Sequence, residues 1–285
     1  MTNDNAMLRL GYNTNGFNCH SLEAALEIIA GLGYRGVAIT LDNYVLNPAA
    51  SDLERQLERT HALLKENSLA CVIETGARFL LDPWQKHEPT LISADAAGRQ
   101  IRIDFLKRAL DISARLDGLA LSFWSGIKRD GVSRADAWQW LGAGCRELAE
   151  HAGQCGIPLA FEPEPGMFIE NLAQYQQLAE QVQNPLFGLT LDVGHAFLTE
   201  EDNLADCIRK FRRSIRNIHL EDMQPGRHQH LQFGDGDINF SEVFDALNEI
   251  QYEGLINVEL SLNSRNAVKA ARQAFDFLSK YQSKS

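Results

Sequence analysis

Glu162, Asp192, His219 and Glu259 each close a short apolar run, and each offers an oxygen or nitrogen donor suited to a divalent cation. The runs are Leu159-Ala160-Phe161, Leu189-Thr190-Leu191, residues 215–218, and Ile256-Asn257-Val258. Three carboxylates and one imidazole form a hard-to-borderline donor set that matches Mn, Mg, Co or Zn and leaves positions for substrate oxygens. A single acidic residue at a strand end ordinarily caps the next helix or binds a loop amide. Four donors on consecutive strands point instead to one shared ion.

Other polar side chains flank this set. In Asp192-Val193-Gly194-His195 the glycine permits a tight turn that returns His195 toward the same pocket. A loop histidine satisfied by a neighbouring carboxylate is the plainer alternative. Pro163 and Pro165 hold the chain around Glu164 extended, so Glu162 and Glu164 are expected to point the same way. After His219 come Glu221-Asp222, then Arg227-His228-Gln229-His230, then Gly234-Asp235-Gly236-Asp237, read together as a loop over the site. Arg227 is a candidate clamp for a carboxylate, a phosphate or sugar hydroxyls. His228 and His230 are candidate ligands or solvated imidazoles, and the following glycines are expected to let the backbone approach a ligand. Phe17, Phe79, Trp84, Trp124, Phe168 and Phe197 fall in or near loops after strands, as walls for one face of a sugar or as loop packing.

The elements that must position these residues follow from period. Short β-type runs alternate with longer amphipathic stretches along the whole chain, making eight units. Strands are expected at 8–12, 36–41, 69–74 and 119–123, then in four runs that end on the donors. Helices are expected from Ser21, at 51–67, 99–116, 133–155, 172–182 and 204–211, from a cap at Asn239 or Ser241 to 250, and at 266–281. Such alternation demands parallel strands, because antiparallel neighbours would be joined by short turns. An open doubly wound sheet is disfavoured, since no G-x-G-x-x-G follows the first strand. The expected fold is α/β, a single (β/α)8 TIM barrel spanning 1–285, in which donors at the carboxyl ends of strands meet at one mouth. Residues 75–98, with Pro83 and Pro89 and little helical period, form the longest irregular connection and a candidate lid.

Composition narrows the function classes. Apolar residues make up 45% and charged residues 23%, enough for a sizeable core. A net charge of −11 opposes general binding to nucleic acid or an anionic membrane. Arg209-Lys210-Phe211-Arg212-Arg213 reads as a solvated helix face. Five cysteines without a C-x-x-C pair suit small buried fillers in a reducing compartment. With no leader-like opening and no membrane-length apolar run, a cytoplasmic location is expected.

Taken together, the motifs resemble the xylose isomerase-like TIM-barrel superfamily, most closely its D-tagatose 3-epimerase and hydroxypyruvate isomerase branch. The resemblance rests on Gly16-Phe17 and the leucine-rich helix after it, Leu32-Gly33-Tyr34-Arg35-Gly36-Val37, the Glu162 strand, Asp192-Val193-Gly194-His195, Ile218-His219-Leu220-Glu221-Asp222, Gly234-Asp235-Gly236-Asp237-Ile238 and Val258-Glu259. It implies that Glu162, Asp192, His219 and Glu259 bind the metal, manganese or a similar divalent ion, and that His195 and Arg227 contact substrate oxygens. It further implies that Glu162 and Glu259 act as acid and base on opposite faces of a small sugar, moving a proton alpha to its carbonyl through an enediolate. Glu164 departs from the branch's pattern and is read as an added substrate contact, with His228 and Trp124 beside it. An inosose dehydratase-like lyase acting on a polyol ketone is the alternative. Endonuclease IV resembles the chain less, because the strands ending at Asp42 and at Trp124 lack its extra histidines. A non-catalytic sugar-binding barrel is the remaining alternative. Related barrels pair or form tetramers, which leaves homo-oligomerisation open.

Overall fold

The computed structural model describes residues 8–76 and 78–282; the outermost ends of the expected 1–285 domain lie outside the described residues. In chain order its strands are β1 (Arg9–Asn13), β2 (Gly36–Thr40), β3 (Ala70–Glu74), β4 (Leu121–Phe123), β5 (Leu159–Phe161), β6 (Phe187–Asp192), β7 (Ile215–Leu220), β8 (Asp222–Gln224), β9 (Arg227–Leu231) and β10 (Leu255–Val258). Eight of them close a barrel in the order β1-β10-β7-β6-β5-β4-β3-β2, with parallel pairing throughout the recorded registers. The fold is therefore the expected (β/α)8 barrel. Residues of β2 and β6 are buried without interruption, as in parallel strands packed by helices outside and side chains inside.

The helices are α1 (Leu22–Gly31), α2 (Leu53–Glu66), α3 (Ala96–Arg115), α4 (Arg134–Cys155), α5 (Leu172–Val182), α6 (Val193–Thr199), α7 (Leu204–Phe211), α8 (Phe240–Glu249) and α9 (Ala267–Gln282). Several begin on side-chain caps. Ser21 accepts from the Ala24 amide, Asp95 from Gly98 and Ser133 from Asp136, each stabilising its helix by about 1 kcal/mol. The Asp95 cap starts α3 a turn before the expected Arg99. Asn239 occupies the N-cap position of α8, yet its side chain donates to Glu242 and makes no cap bond. Among the described residues no helix is long and apolar enough to cross a membrane.

Two elements replace expected loops. A short helix, α6, starts directly after β6, and β8 with β9 forms an antiparallel hairpin beyond β7. Of the expected irregular stretch 75–98, the described residues up to 95 form no helix or strand, whereas 96–98 belong to α3.

The barrel lumen carries a polar layer beneath the mouth. Successive side chains of a strand alternate in direction, so the residue two before each donor also faces inward. Asn257 donates to Asn217 at 2.9 Å, Asn217 donates to Glu74 at 3.1 Å, and the hydroxyls of Ser122 and Thr190 lie 2.9 Å apart. A Cβ on Gly11 would overlap the Asn257 amide, which is why the first strand has a glycine there. Val72, Ala120, Ala160 and Leu255 form a small apolar cluster apart from the main core.

Candidate metal centre

Strand register levels the donors. Asp192 pairs with His219 across β6 and β7, and Val258 pairs with Leu220 across β10 and β7. The backbone extends one step further at the other two positions, where the Glu162 amide donates to Phe123 and the Glu259 amide to Leu220. As a result His219 Nδ1 lies 3.1 Å from Glu162 Oε1, 2.9 Å from Glu259 Oε2 and 3.9 Å from Asp192 Oδ2. One donor atom from each of the four residues lies within 4.8 Å of the others. Asp192 Oδ1 accepts from the His195 amide at 2.7 Å and so caps α6, while its Oδ2 is buried with no hydrogen-bond partner among the described residues. A buried, unpaired carboxylate oxygen beside two more carboxylates and an imidazole fits a divalent cation.

The imidazole is oriented from behind. His219 Nε2 lies 2.8 Å from Glu74 Oε1, an arrangement in which Nε2–H donates to the carboxylate and the neutral ring leaves Nδ1 free to bind an ion. Burial alone would lower the pKa of His219, but Glu74, Glu162 and Glu259 together raise it well above its usual value. Without an ion, an imidazolium therefore balances the carboxylates. Burial raises Glu162 well above the usual carboxylate range despite the opposing pull of His219. In Asp192 the same burial is outweighed by His195, His230 and His219, and in Glu259 chiefly by His219, so both are lowered.

A cavity of about 250 Å³ opens over Glu162, His219 and Glu259, with Asp192 buried behind them. Glu162 and Glu164 both line it, as do His195, Trp124 and His230. Glu164 is pushed up to about 7 by burial and by the Glu259 and Asp192 carboxylates. His195 is pushed down to about 4, chiefly by burial, which makes it a neutral imidazole. Its Nδ1 faces the Pro163 carbonyl at 3.3 Å and its Nε2 lies 3.0 Å from His228 Nε2. His228 stands outside the cavity wall and reaches the site through that contact. Ring nitrogens of His195, His228 and His230 also lie within 4.8 Å of one another. Trp124 meets His87 edge-on at 5.2 Å, with the Arg102 guanidinium 4.9 Å from its ring centre.

Arg227 is the exception among the expected contacts. It is exposed on β9, with its guanidinium 3.4 Å from Gln224 Oε1, and does not line the cavity. The hairpin explains this, because alternation along β9 sends 228 and 230 to one face and 227 to the other. Two glycine readings also change. Gly194 lies inside α6, where a Cβ would collide with the Glu221 carboxylate and with Met223, so it makes room for a side chain and not for a turn. Gly236 approaches Asp222, whose carboxylate accepts the amides of Met223, Gly234, Gly236 and Ile238 at 2.8–3.2 Å. Asp222 thus fixes the hairpin and the Gly-Asp-Gly-Asp segment to each other.

Sequence reasoning missed Glu74, Asn15 and Glu221. Glu74 ended an expected strand and carried the same signal as the four donors. Asn15 donates to Glu259 Oε1 at 2.7 Å from the loop after β1. Glu221 is fully buried, raised well above the usual carboxylate range by burial and then by Asp192 and Glu259.

An inosose dehydratase from Lacticaseibacillus casei is 26% identical over 141 residues, 44% of this chain and 47% of that protein. The chain matches just under half the length of such curated relatives. A D-tagatose 3-epimerase-like protein superposes with a TM-score of 0.77 at 22% identity, over 96% of this chain and 97% of its own. The IolI protein, solved with a bound zinc atom, gives 0.76 at 17% identity, over 96% and 99%. At these identities the structural likeness speaks for the fold alone. Residues 14–281 match the family described as the xylose isomerase-like TIM barrel, and the chain belongs to that family.

Proposed function

We propose that this chain is a divalent-metal-dependent isomerase or epimerase of small polyhydroxy carbonyl compounds. The observation that carries the reading is the convergence of donor atoms of Glu162, Asp192, His219 and Glu259, three of which line a cavity while Asp192 lies buried beside them. A divalent ion held there would supply Lewis acidity, polarising a carbonyl and its neighbouring hydroxyl so that the α-proton becomes acidic. One glutamate takes that proton, and the C–H electron pair passes into the enediolate while charge moves to the former carbonyl oxygen. Return of a proton by the other glutamate gives the epimer; return by the same one to the neighbouring carbon shifts the carbonyl. Glu162 and Glu259 suit the two-sided version, since β6 and β7 separate their strands around the ring. His195, which lines the cavity, would hydrogen-bond a substrate oxygen through Nε2 in exchange for its contact with His228.

Elemental analysis of the purified protein, followed by deuterium exchange from solvent into a panel of ketoses, tests the reading. The expected result is bound divalent metal and label at the α-carbon, with Glu259→Gln slowing exchange by about 10²–10⁴-fold. Metal-loaded protein that labels no ketose overturns it. The alternative is a dehydratase of polyol ketones, favoured by the curated relatives and by Glu164, which lines the cavity where it can protonate a leaving hydroxyl. An enone chromophore in place of label selects that version. A single barrel domain and a cytoplasmic setting belong to the same proposal, supported by five free cysteines.

A further inference from the structure

A second cavity, of about 560 Å³, lies beside the metal-centre cavity and has more than twice its volume. It is built by residues following β1 and β2, by α2 and by the start of the irregular 75–95 connection. Thr40 and Arg78 line both cavities, so the two spaces adjoin. Arg78, one of the two shared residues, stands 3.5 Å from Asp42 of the second cavity's lining.

The lining has the chemistry of a saccharide site. Phe17 is buried beneath it, whereas Tyr44 and Phe79 are 96% and 45% exposed. Aromatic rings suit the C–H faces of a sugar, and the amides and hydroxyl of Asn18, Asn43 and Thr60 suit its hydroxyl groups. His20 adds a buried Nδ1 that has no hydrogen-bond partner among the described residues. A hydroxyl of the occupant would satisfy that atom. Charge disfavours a phosphate here, since Glu23 and Asp42 line the cavity and, among the described residues, its one lining guanidinium or ammonium, Arg78, stands 3.5 Å from Asp42.

Size gives the division of labour. The metal-centre cavity falls below the roughly 300–1,000 Å³ of typical ligand pockets, and the second cavity falls inside that range. We infer that the second cavity is a subsite for an uncharged glycosyl unit linked to the carbonyl-bearing unit that reaches the metal centre, so that the substrate is a glycosylated polyhydroxy carbonyl compound and not a free monosaccharide. The inference rests on the proposed proton-transfer reading for the reacting unit; the recognition of the glycosyl unit stands on the cavity itself.

The test compares D-fructose with two glycosyl ketoses, isomaltulose and lactulose, on the full chain loaded with the metal that elemental analysis identifies. Binding is measured by calorimetry and reaction by α-carbon deuterium exchange. At least one glycosyl ketose is expected to bind at least tenfold more tightly than D-fructose. Thr60→Trp, which fills the cavity from α2, is expected to reduce that preference at least fivefold. Phe79→Ala, which removes a half-exposed wall, is expected to reduce it severalfold and serves if the filled variant does not fold. A preference without any exchange retains the subsite and sinks the proton-transfer reading. Exchange on D-fructose with no preference for either disaccharide sinks the subsite and retains that reading. Binding of neither disaccharide, or a preference that both folded variants leave unchanged, overturns the inference.

Discussion

Glu74 offers the most decisive perturbation of the centre, because it touches no cavity-side donor atom of His219 yet controls which nitrogen faces the cavity. Its Oε1 lies 2.8 Å from His219 Nε2 and accepts from Asn217 Nδ2 at 3.1 Å. Asn217 Nδ2 is itself 3.1 Å from His219 Nε2. In Glu74→Ala the carboxylate is gone, and the Asn217 amide becomes free to donate to Nε2. A neutral imidazole would then carry its proton on Nδ1, the atom aimed at Glu162, Glu259 and Asp192, where it blocks an ion. Loss of such a supporting carboxylate costs metal affinity about 10–100-fold, or about 1.4–2.8 kcal/mol at 1.4 kcal/mol per decade. Glu74→Gln keeps an oxygen for Nε2–H and should lose less. Competition with a chromophoric chelator measures the affinity, and circular dichroism checks that each variant is folded. If folded Glu74→Ala binds zinc and manganese within twofold of wild type, the assignment of Nδ1 as the donor is wrong.

Metal binding should weaken as pH falls, by about tenfold per unit below the raised pKa of His219, because the ion must replace its proton; chelator competition at three pH values reads this, and a flat profile contradicts it. Gly194→Ala should destabilise the fold by about 1–3 kcal/mol, because the added methyl meets a buried carboxylate and Met223; an unchanged melting temperature would remove the packing explanation for that glycine. His87 is pushed down to about 4, mainly by burial, and the folded state therefore binds fewer protons than the unfolded state between about pH 4 and 6.5. The stability it contributes is present above pH 6.5 and lost as pH falls toward 4, so His87→Gln should shallow the decline in melting temperature from pH 7 to 5. A decline as steep as wild type's would place the effect elsewhere.

The barrel was legible because its strands are short, apolar and separated by capped amphipathic helices, signals that survive in a single sequence. The convergence of Glu162, Asp192, His219 and Glu259 was legible for a related reason: strand ends are points where the chain leaves a known direction. Glu74 ended the third strand on the same signal, but a carboxylate that holds an imidazole from behind and one that faces an ion look alike in sequence. The hairpin was not legible. Its residues, Asp222-Met223-Gln224 and Arg227-His228-Gln229-His230-Leu231, are short and polar, without the apolar alternation that marks a strand. Asp222 stabilises it through four backbone amides contributed by its own hairpin and the segment that follows, and no local pattern announces those bonds.

Missing the hairpin misplaced Arg227 and left His230 unexplained. In a loop, all of residues 227–230 could reach the mouth; in a strand, only alternate ones can. His230 does, with Nδ1 3.1 Å from the Glu259 carbonyl and 3.9 Å from Glu221 Oε2. His195 approaches from the other side on α6, a helix whose start is set by Asp192 Oδ1. Under the proposed function Asp192 therefore fixes both a donor for the ion and, through the start of α6, the position of the His195 imidazole. A change that removes this side chain cannot be confined to metal affinity: Asp192→Ala also deletes the hydrogen bond that starts α6, and with it the support of His195. Glu259, which caps no helix and is held from the side by Asn15, is the residue where a loss of metal can be read separately from a loss of substrate positioning.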